Sequence, residues 1–372
     1  MGAIDRLADM YSVIETNLLL KIAHSFQINE EFSGSDIWRI QKLQEMGAFT
    51  QEAIEYIARA TKNTPEEIWQ ALKEVQQDRI NINTLNRIYK NGNIEISPFE
   101  IANRKIFNDI TEIAYNQLND TFIDMSKRIE EATKRAYLNI VEQTALATST
   151  GEISYQEAIR ESIDRLGNQG LTVLTYSETD TDHIRRYDIE GAVRREVLTS
   201  VRQLSTQLDL QLIDEIGAEY IKLSEHLACR PSHFDWQGLI ILRSDLVRVT
   251  DYGSITGLCG INCKHYIEPY FGKDKPNKMI NIEMANGTIT QAYANNNEKK
   301  IPKNIATENY KLTQKQRYLE RIMRKTKRKL AMYKENGDTD AILDCKNKIA
   351  EINLRLKKYK RDYAREYTLN GF

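Results

Sequence analysis

Only 6 prolines and 17 glycines punctuate the 372 residues, too few for a fold built on many tight turns. That scarcity argues against a many-turned β architecture and favours long unbroken helices. No run of 18 apolar residues occurs, and the opening stretch carries Asp5, Asp9 and Glu15 where an export signal needs a basic start and an apolar centre. The expectation is a chain without membrane segments that is made in a cytoplasm. Four cysteines, with Cys345 standing alone, make no disulfide framework, which leaves thiolates available to a metal. Net charge is also nearly absent, at −1.

That near-zero charge hides an uneven distribution. Residues 299–372 hold 21 Lys and Arg against 9 Asp and Glu, a balance of +12, while residues 1–298 carry −13. An acidic body with a basic tail implies that the two ends meet different partners, one of them a polyanion candidate. The length exceeds one compact core and predicts two or three domains. Hydrophobic content of 41% with 28% charged residues is ordinary for a folded globular chain.

Cysteine and histidine are rare, yet three of the four cysteines and three of the five histidines crowd into the 40 residues from His226 to His265. The spacings are His226-x2-Cys229-x3-His233, then Cys259-x3-Cys263-x-His265, which reads as two soft-ligand knuckles separated by a loop. Each knuckle brings side chains together on one ion, the usual form of a four-coordinate zinc site. The candidate ligands are Cys229, His233, Cys259, Cys263 and His265, with His226 in reserve. Because Gly238 to Leu242 reads as a short strand and Gly253, Gly257, Gly260 and Gly272 supply turns, residues 217–275 are predicted to form a small α+β module. So small a core gains from a structural metal.

Helical periodicity organises the rest. Ile14, Leu18, Leu19, Ile22 and Phe26, then Ile37, Ile40 and Leu43, then Ile54, Ile57 and Ala58 predict amphipathic helices, and Thr64-Pro65 starts another. After a break at Asn91-Gly92-Asn93 and Ser97-Pro98, positions from Ile106 and Ile113 to Leu118, Phe122, Met125 and Ile129 predict one or two long helices over 99–148. Ser154 and Glu157 read as a capping box, Gly167 to Gly170 as a turn, and LTVLTYS from Leu171 as an extended piece. Residues 183–208 are expected to be one helix with Arg185, Arg186, Arg194, Arg195 and Arg202 on its basic side and Ile189, Val193, Val197, Val201 and Leu204 on its apolar side. Asn286-Gly287 between alternating runs predicts a hairpin, with a linker over Asn295 to Lys300.

The tail repeats in heptads. Leu312, Gln316, Leu319, Met323, Thr326, Leu330 and Tyr333 form one seam, and Ile342, Cys345, Ile349, Ile352, Leu356, Tyr359 and Tyr363 the other, around a turn at Asn336-Gly337-Asp338. An antiparallel helical hairpin is expected, with Cys345 in its core. Its outer basic residues Lys315, Arg317, Arg321, Arg324, Lys325, Lys327, Arg328 and Lys329 are either a solvated coat or a nucleic-acid surface.

The fold class predicted is therefore mainly α, with a helical first half, a C-terminal antiparallel helical hairpin and a small α+β Cys/His module between them. The expected segments are a helical docking region at 1–150, a connector at 151–216, the module at 217–275, a β-hairpin and linker at 276–310, and the basic hairpin at 311–372. Three motifs carry a resemblance: CRPSHFDWQG from Cys229, YGSITGLCGINCKH from Tyr252 and LTQKQRYLERIMRKTKR from Leu312. With the Arg-rich helix ending Leu198-Thr199-Ser200, they resemble the phage minor capsid protein 2 family, related to the Mu F-like head morphogenesis proteins of tailed phages. The resemblance implies a non-enzymatic virion component, present in few copies inside the head near the portal vertex and acting in assembly, DNA packaging or delivery. Its implied partners are the portal protein, other head proteins and packaged double-stranded DNA, with no membrane. Three alternatives stand beside it: a metal-dependent nuclease of the His-Cys kind with His226 or His265 as base, a Cys-His nucleophile such as Cys263 with His265, and a DNA-binding protein or regulator.

Overall fold

The structure is a computed structural model that describes residues 3–90, 94–151, 153–177, 184–261, 263–272, 278–283, 289–295 and 301–369. Helix dominates, as the shortage of turn residues requires. The elements are α1 (Ala3–His24), α2 (Ser35–Ala60), α3 (Thr64–Arg79), α4 (Ile82–Tyr89), α5 (Pro98–Ala102), α6 (Lys105–Ser149) and α7 (Tyr155–Gln169). Then come β1 (Thr172–Ser177), β2 (Ile184–Asp188), α8 (Ile189–Glu215), β3 (Tyr220–Leu223), β4 (Ile240–Leu242), α9 (Leu246–Thr250) and β5 (Ile267–Tyr270). The chain ends with β6 (Lys278–Glu283), β7 (Ile289–Asn295), α10 (Lys303–Asn336) and α11 (Thr339–Leu369). The mainly α architecture with a small strand-containing region in the middle is thus the one its composition predicts. No described helix is long and apolar enough to cross a membrane.

Two compact units form, each from separated segments. One gathers residues 1–4, 66–119 and 195–314, the other residues 5–65, 120–194 and 315–372. In the first, a five-stranded antiparallel sheet runs in the order β5-β3-β4-β7-β6. Ile221 of β3 pairs with Ile241 of β4, which pairs in turn with Ala294 of β7. These buried side chains form one core with Ile213 of α8, Trp236, Leu239, Leu246, Val249, Leu258 and Ile267. The expected hairpin is β6–β7, whose Asn286-Gly287 turn lies outside the described residues, and β7 carries it into the same sheet as the central strands. The linker expected from Asn295 onward falls outside them as well, except Asn295 itself, the last residue of β7.

The second unit packs aromatic side chains between helices. Phe26 meets Tyr137 at 4.8 Å, and Trp38 meets Tyr155 edge-on at 5.6 Å. Within it, α10 from Lys315 onward and α11 build the predicted hairpin, with Leu319, Met323, Thr326, Tyr333, Cys345 and Ile352 buried along the seam and Gly337, at φ +85°, in the turn. Side chains beyond Tyr359, Tyr363 among them, are not described.

Several local expectations change. Residues 184–188 are a strand, not the start of a helix: β2 pairs with β1 along Tyr176↔Arg185 and Thr175↔Arg186, because the extended LTVLTYS segment needs a hydrogen-bonding partner. Residues 178–183 are not described. Helix α8 begins only at Ile189 and continues to Glu215, with Ile189, Val193, Val197, Val201 and Leu204 buried as expected. Gly167 stays inside α7, and the turn reduces to Gly170 at φ +69°, where a Cβ would collide with the Arg328 guanidinium. Ser154 caps Glu157, but the reciprocal capping box forms at Ser97 and Glu100 instead. In α2, Ile37 and Ile40 are 62% and 55% exposed while Trp38, Lys42, Phe49, Ala53 and Ile57 face inward, so the buried face is rotated from the predicted one. Ile106 and Ile113 of α6 also point outward.

Candidate metal centre

The knuckles are set by local chemistry. Pro231 opens a single 3-10 turn, Pro231–His233, and the turns that follow lead to Trp236 and Gln237 just before β4. The second knuckle hangs on a tight loop after α9, where Leu258 N–H donates to the Thr250 carbonyl and Cys263 N–H to that of Gly260. A Cβ at Gly257 would strike the Asp251 carbonyl oxygen, so the loop closes only with glycine there. Arg230 ties the two knuckles together by donating to the carbonyls of Thr256 and Ile261, at 3.3 and 2.6 Å.

This architecture brings three ligand atoms to one point. His233 Nδ1 and His265 Nδ1 are 3.4 Å apart, and Cys263 Sγ lies 3.6 Å from His265 Nδ1 and 3.9 Å from His233 Nδ1. All three residues are buried. With Zn–N near 2.0–2.1 Å and Zn–S near 2.3 Å, a tetrahedron separates two nitrogens by about 3.4 Å and nitrogen from sulfur by about 3.6 Å. The observed triangle has that size.

The far side of each ring fixes its tautomer. His233 Nε2 sits 2.6 Å from the Thr256 carbonyl oxygen, which only accepts, so Nε2 carries the proton and Nδ1 a lone pair. His265 Nε2 sits 3.2 Å from Gln237 Oε1. Both lone pairs then converge beside the sulfur, whose single S–H can satisfy at most one of them, an arrangement that a cation relieves. Burial keeps both rings neutral, lowering His233 to about 4 and His265 further. Burial likewise raises the Cys263 thiol, so it reaches the thiolate form when a metal supplies the compensating charge. Trp236 packs on both rings at 4.6 Å, closing the site to water.

The other candidates take different places. Cys259 is buried in the core, with Sγ 2.6 Å from Thr206 Oγ1 of α8, and its φ of +62° is rare for a residue with a side chain. Burial raises that thiol to about 12. Cys229 is buried and outside the three-residue group. His226 also lies outside that group, its ring tilted against that of His265 with centroids 4.3 Å apart. Sequence reasoning passed over Gln237 and the Thr256 carbonyl, which hold the two candidate histidines; both lie inside the two motifs, but neither group has a ligand signature of its own.

The basic residues of α10 divide into two sets. Arg328 is buried against Asp188 at 2.8 Å and Glu15 at 3.4 Å, Lys329 pairs with Asp164 at 2.7 Å, and Arg324 reaches Glu190 at 3.4 Å. These three charges are engaged inside their own unit. Lys315, Arg321, Lys325 and Lys327 are exposed and Arg317 is half-buried.

The family described as phage minor capsid protein 2 matches residues 1–360. A curated relative named "Structural protein" from Lactococcus phage LL-H is 22% identical over 355 residues, covering 89% of this chain and 88% of its own length. No solved structure matches.

Proposed function

The chain belongs to the phage minor capsid protein 2 family, and from that premise we propose that it is an internal component of the tailed-phage head, held in few copies near the portal and acting in assembly, packaging or delivery of DNA. Its zinc is structural, bound by His233, Cys263 and His265; His226, outside that group with its ring 4.3 Å from that of His265, stands in reserve for a fourth position. The observation that carries this is the burial of a zinc-sized ligand triangle within a small core. A nuclease metal must meet a phosphodiester and a water, whereas these three residues are 1–4% exposed. A Cys263 nucleophile is disfavoured by its raised thiol pKa.

The helical first half serves as the docking part toward the portal or another head protein, and the exposed basic residues of α10 face packaged DNA. The reading is tested by fractionating purified particles and measuring copy number and zinc together. Virion-associated chain with about one zinc per copy supports it. A chain absent from particles removes the head assignment, and metal-free chain removes the zinc.

A further inference from the structure

The Gln237 side chain is wholly buried beside the metal-ligand triangle, and its two ends are treated very differently. Oε1 accepts two hydrogen bonds, from the His226 backbone N–H at 3.2 Å and from His265 Nε2 at 3.2 Å. Nε2 is buried with no hydrogen-bond partner among the described residues. A buried amide donor left without a partner loses its hydration with nothing in return, so packing alone would favour an apolar residue here.

The backbone N–H of His226 resolves the orientation of the amide, because a peptide nitrogen only donates and must face an oxygen. The amide therefore cannot turn over to satisfy its NH2 group. The same oxygen faces His265 Nε2, which must then be the protonated nitrogen, leaving Nδ1 as a lone pair aimed at His233 Nδ1 and Cys263 Sγ. Thr256 plays this part for His233 through a backbone carbonyl that no substitution removes. For His265 the part falls to a side chain.

We infer that Gln237 is the positioning residue of the metal centre: its carboxamide oxygen, oriented by the His226 N–H, holds His265 in the one tautomer that can ligate through Nδ1. The inference rests on the zinc reading for its consequence but not for its geometry, which exists without metal. A ligating histidine whose outer nitrogen loses its acceptor typically gives up 10–100-fold in metal affinity.

The test uses the full chain and zinc alone, with affinity measured by chelator competition and imidazole tautomers read by long-range proton–nitrogen NMR of metal-free protein. Q237L, apolar and of similar size, is expected to weaken zinc by about 10–100-fold and to abolish the single Nε2–H state of His265. Q237E keeps an acceptor at the same place, and the site cation offsets its charge, so its affinity is expected within about threefold of the parent or tighter. Parental affinity in Q237L, or equal loss in Q237E and Q237L, overturns the inference. If the parent takes up no zinc, the zinc reading fails by itself. The tautomer measurement then decides alone: a fixed Nε2–H in the parent that Q237L loses upholds the positioning role, and an unchanged spectrum refutes it.

Discussion

The guanidinium of Arg328 lies 3.4 Å from the carboxylate of Glu15, with both side chains almost wholly buried. Asp188 adds a second contact to Arg328 at 2.8 Å, and the backbone N–H groups of Leu171 and Glu190 donate to Glu15. The pair thus joins α1, the end of β2, the start of α8 and α10 inside one unit. Burial raises the Glu15 carboxyl and Arg328 opposes it, so each charge is tolerable only because of the other.

Replacing Arg328 by Met is therefore expected to destabilise the chain by about 3–5 kcal/mol, since it strands a buried carboxylate. Adding Glu15→Gln should restore a large part of that loss. Denaturant unfolding of the two variants checks it, and equal stability of R328M and the parent would show that the charge is not structural.

The exposed set should behave in the opposite way. Changing Lys315, Lys325 and Lys327 together to Gln is expected to leave stability within about 0.5 kcal/mol of the parent, as substitutions on an exposed face usually do. If these residues contact DNA, full-length protein should bind duplex without sequence preference. With about five phosphates neutralised, affinity should fall by roughly 10²–10³-fold between 50 and 200 mM salt. Fluorescence anisotropy across that range measures it. A triple variant that binds like the parent would make the basic face a solvated coat.

What could be read in advance follows the physics of each element. Heptad seams repeat over several turns, so Leu319, Met323, Cys345 and Ile352 were legible as core. Helix α2 was not, because its buried face includes Lys42, which reaches the Ser25 carbonyl and Glu30, while two isoleucines face outward. Strand β2 was hidden in Arg-Arg-Tyr, which takes its conformation from pairing with β1. Crowding of Cys and His pointed to the stretch that holds the candidate centre, but that His233, Cys263 and His265 come together while Cys229 and Cys259 stand outside the group depends on how one loop closes. That closure is tertiary, and spacing carries no trace of it.

A second buried acid gives a pH dependence with a defined sign. Burial lifts Asp209 of α8 from its ordinary 3.8 to about 7, while Arg79 pulls it down and Glu268 and Asp78 push it up. Between those values the folded state holds a proton that the unfolded state has released, so stability falls as pH rises from about 4 to 7. Asp209→Asn removes the titration, and the difference in stability between pH 5 and pH 8 should shrink by about 2 kcal/mol or more. Urea titrations at the two pH values measure it; a variant with the parental pH slope would assign that slope to other groups.

The metal centre makes the sharpest comparison among the cysteines. Cys263 and Cys345 are both buried, at 4% and 6% exposure, so conversion of either to Ser costs about 1–2 kcal/mol of packing. Only Cys263 adjoins two imidazoles, and losing a ligand also removes metal-binding free energy that would otherwise stabilise the fold. C263S should therefore melt several degrees below C345S in zinc-loaded protein. Chelator should lower the melting temperature of the parent and of C345S while leaving C263S nearly unchanged, because its site is already broken. Scanning calorimetry with and without chelator reads all six conditions. A chelator effect of the same size in C263S would place the metal on other residues, and no effect on the parent would leave the triangle a metal-free polar cluster.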